Sequence, residues 1–296
     1  MGIERGVQTK EFPTATRYQF SEWDEKKQEY VWTDGKETLA GEKGQLSVGH
    51  YEGEGLREAL RVNTGMARFV LVDNGTASLE GQIVDSKSLV YIPAGASVNL
   101  GEVQGGAWIV EVTATLSEEN TKATILPVSV NPTSHAAWFG SWTSVGGQNL
   151  GIPPSIHFGI EEGSVTEIIT AGLGTEYTPW SLRNLSEEKQ TKARAAVADN
   201  KNAELLHGHN DTTEIYVCVE NRTVVDIQPN NAPPTNEIDH QQSVPLGPGM
   251  MVVVGPSTGY SHREPSPIIS GKMFVIKWNG GEIVDRNDKH PHPLAG

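Results

Sequence analysis

The stretch His207-Gly208-His209-Asn210-Asp211-Thr212-Thr213-Glu214 decides the fold and the chemistry expected of this chain. On a β-strand, side chains two positions apart point to the same face, so those of His207 and His209 start about 6.6 Å apart on one side. Glu214 lies an odd number of positions beyond His209 and would face the other way on an unbroken strand. The short polar residues between them favour a turn that resets this alternation, so the carboxylate can join the two imidazoles.

Two further segments extend this pattern. Glu214 opens a predicted strand through Val219, which ends at Glu220-Asn221, where asparagine tolerates a turn conformation. An apolar run at 250–254, a turn at 255–259, a histidine at 262 and a strand at 272–278 follow. Three imidazoles and one carboxylate suit a single divalent metal ion. The predicted metal ligands are therefore His207, His209, Glu214 and His262.

The order of these residues resembles the two motifs of the cupin superfamily, H-x-H-x3–4-E-x6-G and G-x5-P-x-G-x2-H. All four predicted ligands stand at the ligand positions of these motifs. Asn221 stands where glycine is usual, and the second motif is one residue longer on each side of Pro256. The resemblance implies a double-stranded β-helix, or jelly-roll, barrel with a metal-dependent activity.

The first half of the chain repeats this spacing without the ligands. Arg61, Asn63, Arg68 and Gly75 fall where the first motif has its ligands and its glycine, and residues 93–98 copy the second motif with valine in place of histidine. We therefore expect an all-β chain of two cupin-type barrels, of which the second alone retains the metal site. Arg61 and Arg68 are interpreted as solvated strand residues; the alternative is that one of them fills the vacated site as a fixed cation.

The predicted organisation has five segments and one helix. These are an N-terminal extension of edge strands that covers the first barrel (1–45), the degenerate barrel (46–114), a linker with inter-barrel packing (115–155), the metal-binding barrel (156–282) and a C-terminal tail (283–296). The aromatic cluster at 135–142 is expected to dock the barrels together, or else to line a pocket. A short helical insertion is predicted at 185–198, because strong helix formers follow an acidic first turn there. It packs over the barrel mouth in this interpretation and could act as a lid.

Composition agrees with this architecture and excludes several partners. The 296 residues include 32 glycines and 17 prolines between short β-branched runs, which is typical of an all-β chain with many turns. A net charge of −14 and the lack of a basic cluster argue against nucleic acid and anionic membranes as partners. The lone cysteine excludes an intramolecular disulfide, and no targeting or membrane-spanning run is apparent, so a cytoplasmic location is expected. The predicted edge strands could pair between two copies of the chain, so a homodimer is possible.

The remaining histidines are not predicted to bind metal. His290-Pro291-His292 lies in a proline-rich, charged tail without a strand pattern or a carboxylate at the right spacing. Four others have no partner at metal-ligand spacing and are interpreted as packing or surface residues: His50, His135, His157 and His240.

A site of three histidines and one carboxylate leaves open positions on Fe(II), Mn(II), Ni(II) or Co(II), with Zn(II) also possible. The resemblance to cupins implies dioxygenases, isomerases, decarboxylases and lyases. The leading hypothesis is an oxidoreductase, an Fe(II) dioxygenase acting on a small oxygen-rich or aromatic metabolite. The alternatives are an isomerase or lyase that uses the metal as a Lewis acid on a carbonyl substrate, and a non-catalytic ligand-binding cupin.

Two residues are predicted to be catalytic, Glu214 and Tyr260. Tyr260 lies two positions before His262 and would serve as an acid or hydrogen-bond donor; filling space as a strand aromatic is the alternative. Cys218 is expected near the metal or, as the favoured interpretation, as a small buried hydrophobe. The candidate pocket residues are Tyr216, Cys218, Tyr260, Arg263 and Trp278.

Overall fold

The computed structural model describes most of the two predicted barrels. The described residues are 7–12, 15–33, 35–61, 65–114, 122–127, 136–139, 144–145, 148–150, 152–163, 207–220, 223–229, 243–256, 259–265, 271–284 and 289–291. The helix predicted at 185–198 and the residues His135 and His240 lie outside them.

The described residues of the first half form eleven strands and one helix. Their bounds are β1 (Gln8–Phe12), β2 (Ala15–Gln19), β3 (Ser21–Asp24), β4 (Glu29–Trp32), β5 (Gly35–Ala40), β6 (Gln45–Glu52), α1 (Gly53–Arg61), β7 (Ala67–Leu79), β8 (Gln82–Val84), β9 (Ser88–Ile92), β10 (Leu100–Val112) and β11 (Thr124–Pro127).

The described part of the second half contains twelve strands. They are β12 (Ala136–Phe139), β13 (Ser144–Val145), β14 (Gln148–Asn149), β15 (Ile156–Gly163), β16 (His207–His209), β17 (Thr213–Glu220), β18 (Thr223–Pro229), β19 (Ser243–Leu246), β20 (Met250–Val254), β21 (Gly259–Pro265), β22 (Gly271–Trp278) and β23 (Lys289–Pro291). The described strand pairs are antiparallel. The predicted all-β class is confirmed.

Two long, bent strands organise the first barrel. The sheet runs β11-β9-β7-β10-β6-β5, with β8 paired to the far half of β7. Gly75 of β7 stands opposite Gly105 of β10, and both have positive φ, 83° and 92°. A Cβ added at Gly105 would lie 1.8 Å from the carbonyl oxygen of Asn74. Glycine is therefore required at this bend, and Gly75 is also the residue that matches the glycine of the first motif.

Helix α1 fills the inner side of the first barrel. Leu56 and Leu60, one helical turn apart, are buried and pack in one cluster with Val70, Ile92 and Ile109 of the sheet. This corrects the strand prediction for Arg61, which is the exposed last residue of α1.

The second barrel consists of two sheets packed face to face. One has the order β1-β2-β20-β17-β22-β15-β12 and the other β19-β18-β21-β16-β23. Their inner faces share one apolar cluster, to which Tyr216, Val252 and Val275 contribute from the first sheet and Val225 and Val244 from the second. This arrangement of two antiparallel sheets is the jelly-roll barrel that was expected of the second half of the chain.

A third apolar cluster joins the two barrels. Phe69 and Trp108 of the first barrel lie in it together with Val217, Phe274 and Ile276 of the second. Successive side chains of these strands point alternately into this shared core and into the interior of their own barrel. One face of each barrel is therefore buried against the other barrel.

The two ends of the chain differ from the predicted arrangement. The extension was expected to cover the first barrel, and β5 does pair with β6. Strands β1 and β2, however, extend the sheet of the second barrel through β20. In the tail, where no strand was predicted, β23 pairs with β16. None of the helical structure in the described chain has the length and apolar character needed to cross a lipid bilayer.

Candidate metal centre in the second barrel

Glu214 lies on the inner face of the second barrel. It stands at the start of β17, opposite Val254 of β20 and Lys277 of β22. Tyr216 and Cys218 follow it at alternate positions and belong to the barrel's inner cluster. The Glu214 residue is 2% exposed, so its carboxylate is placed among apolar side chains and depends on polar neighbours for its stability.

Three polar side chains surround this carboxylate. The Tyr216 hydroxyl donates a hydrogen bond to Glu214 Oε2, and His209 Nε2 lies 3.7 Å from the same oxygen. Lys277 Nζ lies 3.5 Å from Glu214 Oε1 and 3.4 Å from His209 Nε2. The four residues form a polar cluster in the barrel interior, contributed by three different strands.

The turn between β16 and β17 delivers two of the predicted ligands to one place. Asn210 and Asp211 are exposed, whereas Thr212 is buried. His209, before the turn, is 6% exposed. His209 and Glu214 therefore both face the interior although an odd number of positions separates them.

For the other two predicted ligands, His207 and His262, the structure describes the position of the backbone. β16 pairs with β21, with His207 opposite Ser261, the residue next to His262. On its other side β21 pairs with β18, with Tyr260 opposite Gln228. The side chains of His207, Tyr260 and His262 lie outside the described ones. Their roles stay predictions.

His209 and Glu214 fit a divalent metal ion as donors. A neutral imidazole nitrogen and a carboxylate oxygen are ordinary ligands of such ions. Two atoms that each lie about 2.0–2.2 Å from one ion are about 3–4 Å apart, which agrees with the 3.7 Å between Nε2 and Oε2. Among the described side chains no group of three histidine, cysteine or acidic residues is placed to hold a metal ion, so a complete centre depends on His207 and His262.

Lys277 is the site residue that the sequence analysis missed. It lies in β22, next to Trp278, and is the one charged residue of this strand from Met273 onward. The available signal was a single charge inside the apolar run from Met273, at the spacing of the inner face.

Two of the remaining pocket candidates have described side chains, Trp278 and Cys218. Trp278, which was expected in the pocket, packs in the core between the barrels; it is one position from Lys277 and so faces the opposite way. Cys218 is fully buried, and burial raises the pKa of its thiol to about 12. This agrees with the interpretation of Cys218 as a buried hydrophobe. The side chain of Arg263 lies outside the described ones.

The corresponding arginine of the first barrel has a structural role. Arg68 is 2% exposed, which corrects its interpretation as a solvated residue. Its Nη1 donates to the carbonyl oxygens of Ala59 and Leu60, both at 3.1 Å, at the end of α1. Burial lowers the pKa of the guanidinium, and the nearby Glu111 opposes this shift. Arg68 is thus a fixed cation that caps the helix occupying the first barrel.

Two of the histidines interpreted as packing or surface residues are buried. His50 contacts Asp73 Oδ2 through Nε2 at 2.9 Å and stacks on Trp32, with ring centroids 3.6 Å apart. His157 is buried on β15.

Comparison with known proteins concerns the arrangement of strands. No protein-family model matches this chain, and no curated protein sequence matches it. Among solved structures, the chain is similar to the Ylba protein of E. coli, with 9% identity, a TM-score of 0.47, and coverage of 92% of this chain and 93% of that one. It is also similar to the 7S globulin of Momordica charantia, with 10% identity and a TM-score of 0.42; the match covers 96% of this chain and 84% of the globulin. A third similar structure is the formate complex of the oxalate decarboxylase of Lactobacillus farciminis, with 9% identity and a TM-score of 0.42; the match covers 96% of this chain and 86% of the decarboxylase.

Proposed function

We propose that the second barrel holds one divalent metal ion and is the active site of a metal-dependent enzyme. The observation that carries the proposal is a buried carboxylate facing a buried imidazole inside the barrel, with Glu214 Oε2 and His209 Nε2 3.7 Å apart. Burying such groups costs free energy unless they are paired or bind a metal. An apolar core has no need of them, so this cluster is the part of the barrel suited to chemistry.

His207 and His262 complete the proposed ligand set. Their strands, β16 and β21, are neighbours in one sheet, which supports their approach to a common ion. The favoured ion is Fe(II); Mn(II), Ni(II), Co(II) and Zn(II) share this ligand preference. When bound, the ion supplies Lewis acidity and, as Fe(II), a position at which oxygen reacts.

The protein's own residues orient the ligands and bind the substrate. Tyr216 fixes the Glu214 carboxylate by donating to one of its oxygens, which leaves less rotational freedom for a ligand. Tyr260 is proposed as an acid or hydrogen-bond donor to the substrate. The reaction proposed first is oxidation of a small oxygen-rich or aromatic metabolite by a dioxygenase.

Lys277 favours a second candidate, an isomerase or lyase acting on a carbonyl compound. Its ammonium lies within 3.5 Å of both Glu214 and His209. A fixed positive charge there would stabilise negative charge that develops on a substrate oxygen.

Elemental analysis of protein purified without added metal tests the metal proposal. We expect about one metal ion per chain, with most of it lost in His209→Ala and Glu214→Gln because each removes a ligand. The control is Glu54→Gln, since that side chain is 70% exposed in the first barrel. Equal metal content in all four proteins, or none in any, would contradict the proposal.

Oxygen uptake separates the two reaction classes. Fe(II)-loaded protein is offered a panel of small aromatic and carbonyl metabolites in an oxygen electrode and, in parallel, under nitrogen. Uptake that depends on a substrate supports the dioxygenase. Product formed equally well under nitrogen supports the isomerase or lyase.

A further inference from the structure

One face of the hairpin formed by β3 and β4 carries a row of three aromatic rings. Trp23 stands directly opposite Tyr30, so both side chains point to the same face, and their rings meet edge to face with centroids 5.1 Å apart. Trp32 lies two positions beyond Tyr30 and shares that face. The row runs from Trp32, which packs against the inter-barrel core, to Trp23, which is 49% exposed. It therefore leads from the core of the molecule to solvent.

A polar cavity lies between this hairpin and the bend of the first barrel. Its volume is about 510 Å³, which is ordinary for a small-molecule site. The residues that line it are Lys27, Tyr30, Val31, Trp32, Glu52 and Asn74. Glu52 on β6 and Asn74 on β7 both stand opposite Gly106 on β10, so the sheet presents an acid and an amide on either side of a residue without a side chain.

A buried histidine fixes the rear wall of the cavity. Trp32 stacks on His50, with ring centroids 3.6 Å apart, and His50 Nε2 contacts Asp73 Oδ2 at 2.9 Å, with the two side chains 1% and 4% exposed. A Cβ added at Gly106 would lie 2.8 Å from Cε1 of His50 and 3.2 Å from Cγ of Glu52, so the same imidazole lies beside the glutamate. A wall that is ordered before a ligand arrives lowers the entropic cost of binding.

These surroundings suit a neutral ring with hydroxyl groups at its rim. Aromatic rings offer a large apolar surface to a ligand, whereas the amide, the carboxylate and the ammonium supply both donors and acceptors. A carboxylate has several lone pairs, so Glu52 can accept a ligand hydroxyl and keep its protein partners. A wholly apolar ligand would remove water from Glu52, Asn74 and Lys27 without replacing its hydrogen bonds, which costs free energy.

We propose that this cavity binds a neutral sugar in its pyranose form. The C–H face of the sugar stacks on the row of rings at Trp32, and its hydroxyl groups bind Glu52 and Asn74. The site belongs to the hairpin and the first barrel, so it is independent of the metal centre proposed for the second.

The test titrates the full chain with glucose, galactose, mannose and xylose in turn. Two-dimensional NMR follows the indole N–H signals of the seven tryptophans, of which those of Trp32 and Trp278 are identified by their loss in Trp32→Phe and Trp278→Phe. We expect at least one sugar to shift the Trp32 signal with a Kd below about 10 mM. The Trp278 signal should stay in place, because this residue lies next to Lys277 and reports on binding in the second barrel.

Cyclohexanol is the comparison ligand, since it is a ring of similar size with one hydroxyl group. It should bind at least about tenfold more weakly than the sugar, because it leaves most polar groups of the cavity without a partner. Equal affinities for cyclohexanol and the sugar would show that the cavity selects an apolar ring and would overturn the proposal.

Asn74→Ala removes one of the hydroxyl-binding groups and should weaken sugar binding about three- to tenfold. Asn99→Ala is the matched control, because Asn99 is also exposed and does not line the cavity. A variant that folds poorly would change all seven indole signals before any sugar is added. The inference is wrong if none of the four sugars shifts the Trp32 signal, or if the two alanine variants bind the sugar equally well.

Discussion

Tyr216 connects the apolar interior of the second barrel to its candidate metal ligand. Its ring packs among Val252, Val275 and their neighbours, while its hydroxyl donates to Glu214. A residue held on one side by packing and on the other by a hydrogen bond keeps the carboxylate in one orientation.

Tyr216→Phe is therefore expected to weaken metal binding about tenfold or more, which is the usual effect of losing such an outer partner. A competition titration with Co(II) measures it. Tyr30→Phe, a substitution of a half-buried tyrosine on β4, is the control. Equal Co(II) affinities for the two variants would show that the Tyr216 hydroxyl does not support the ligand.

Cys218 gives a prediction that depends on pH. Burial raises the pKa of its thiol from 9.0 to about 12, so the folded state keeps the proton that the unfolded state releases above pH 9. This contribution to stability is complete below about pH 9 and is lost as the pH rises towards 12.

Alkylation by iodoacetamide at pH 8.5 should accordingly be at least about tenfold slower in the folded protein than in urea, because only the thiolate reacts. Mass spectrometry follows the modified fraction. Rapid labelling of the folded protein would contradict the buried position of Cys218.

The motif spacing predicted His209 and Glu214 as site residues, and the structure brings their side chains together, but the spacing did not point to Lys277. A lysine in an apolar strand has no recognisable partner until the register places it opposite a carboxylate on another strand. The error at Trp278 has the same origin, because a shift of one position moves a strand residue to the other face.

Among the described residues, helix α1 is the element that distinguishes the two barrels. It packs Leu56 and Leu60 into the interior of the first barrel, and Arg68 binds the carbonyl groups at its end. The spacing of Arg61 and Arg68 matched the strand motif, which led to a strand prediction at Arg61, although Leu56 and Leu60, four positions apart, give this nine-residue helix one apolar face.

Arg68→Met should lower the free energy of unfolding by about 3 kcal/mol, since two helix carbonyls and the neighbouring Glu111 lose a buried charged partner. Urea denaturation measures the change. Arg61→Met, at the exposed end of the same helix, should change it by less than about 0.5 kcal/mol. Equal effects of the two substitutions would contradict the capping role of Arg68.

The whole molecule is held together by its inter-barrel core and by its N-terminal hairpin. The chain's repeat predicted two barrels, and its turn composition predicted their β structure. Neither feature predicts that β2 pairs with β20, because pairing between distant strands leaves no local pattern in the sequence.

Deletion of residues 1–19 removes β1 and β2 and turns β20 into an exposed edge strand. We expect the Tm to fall by about 5–10 °C and larger species to appear in size-exclusion chromatography, because an uncovered edge pairs with other chains. Deletion of residues 1–6 leaves both strands intact and is the control. An unchanged Tm for the longer deletion would show that the hairpin adds nothing to the second barrel.

Because Ala15 pairs with Val254, the N-terminal hairpin is synthesised long before the strand with which it pairs. At roughly 5–20 residues per second, the ribosome needs tens of seconds to make the partner of a hairpin that emerged first. During that interval β1 and β2 have no sheet to pair with. A chaperone or a nascent-chain segment that covers them would therefore favour correct assembly.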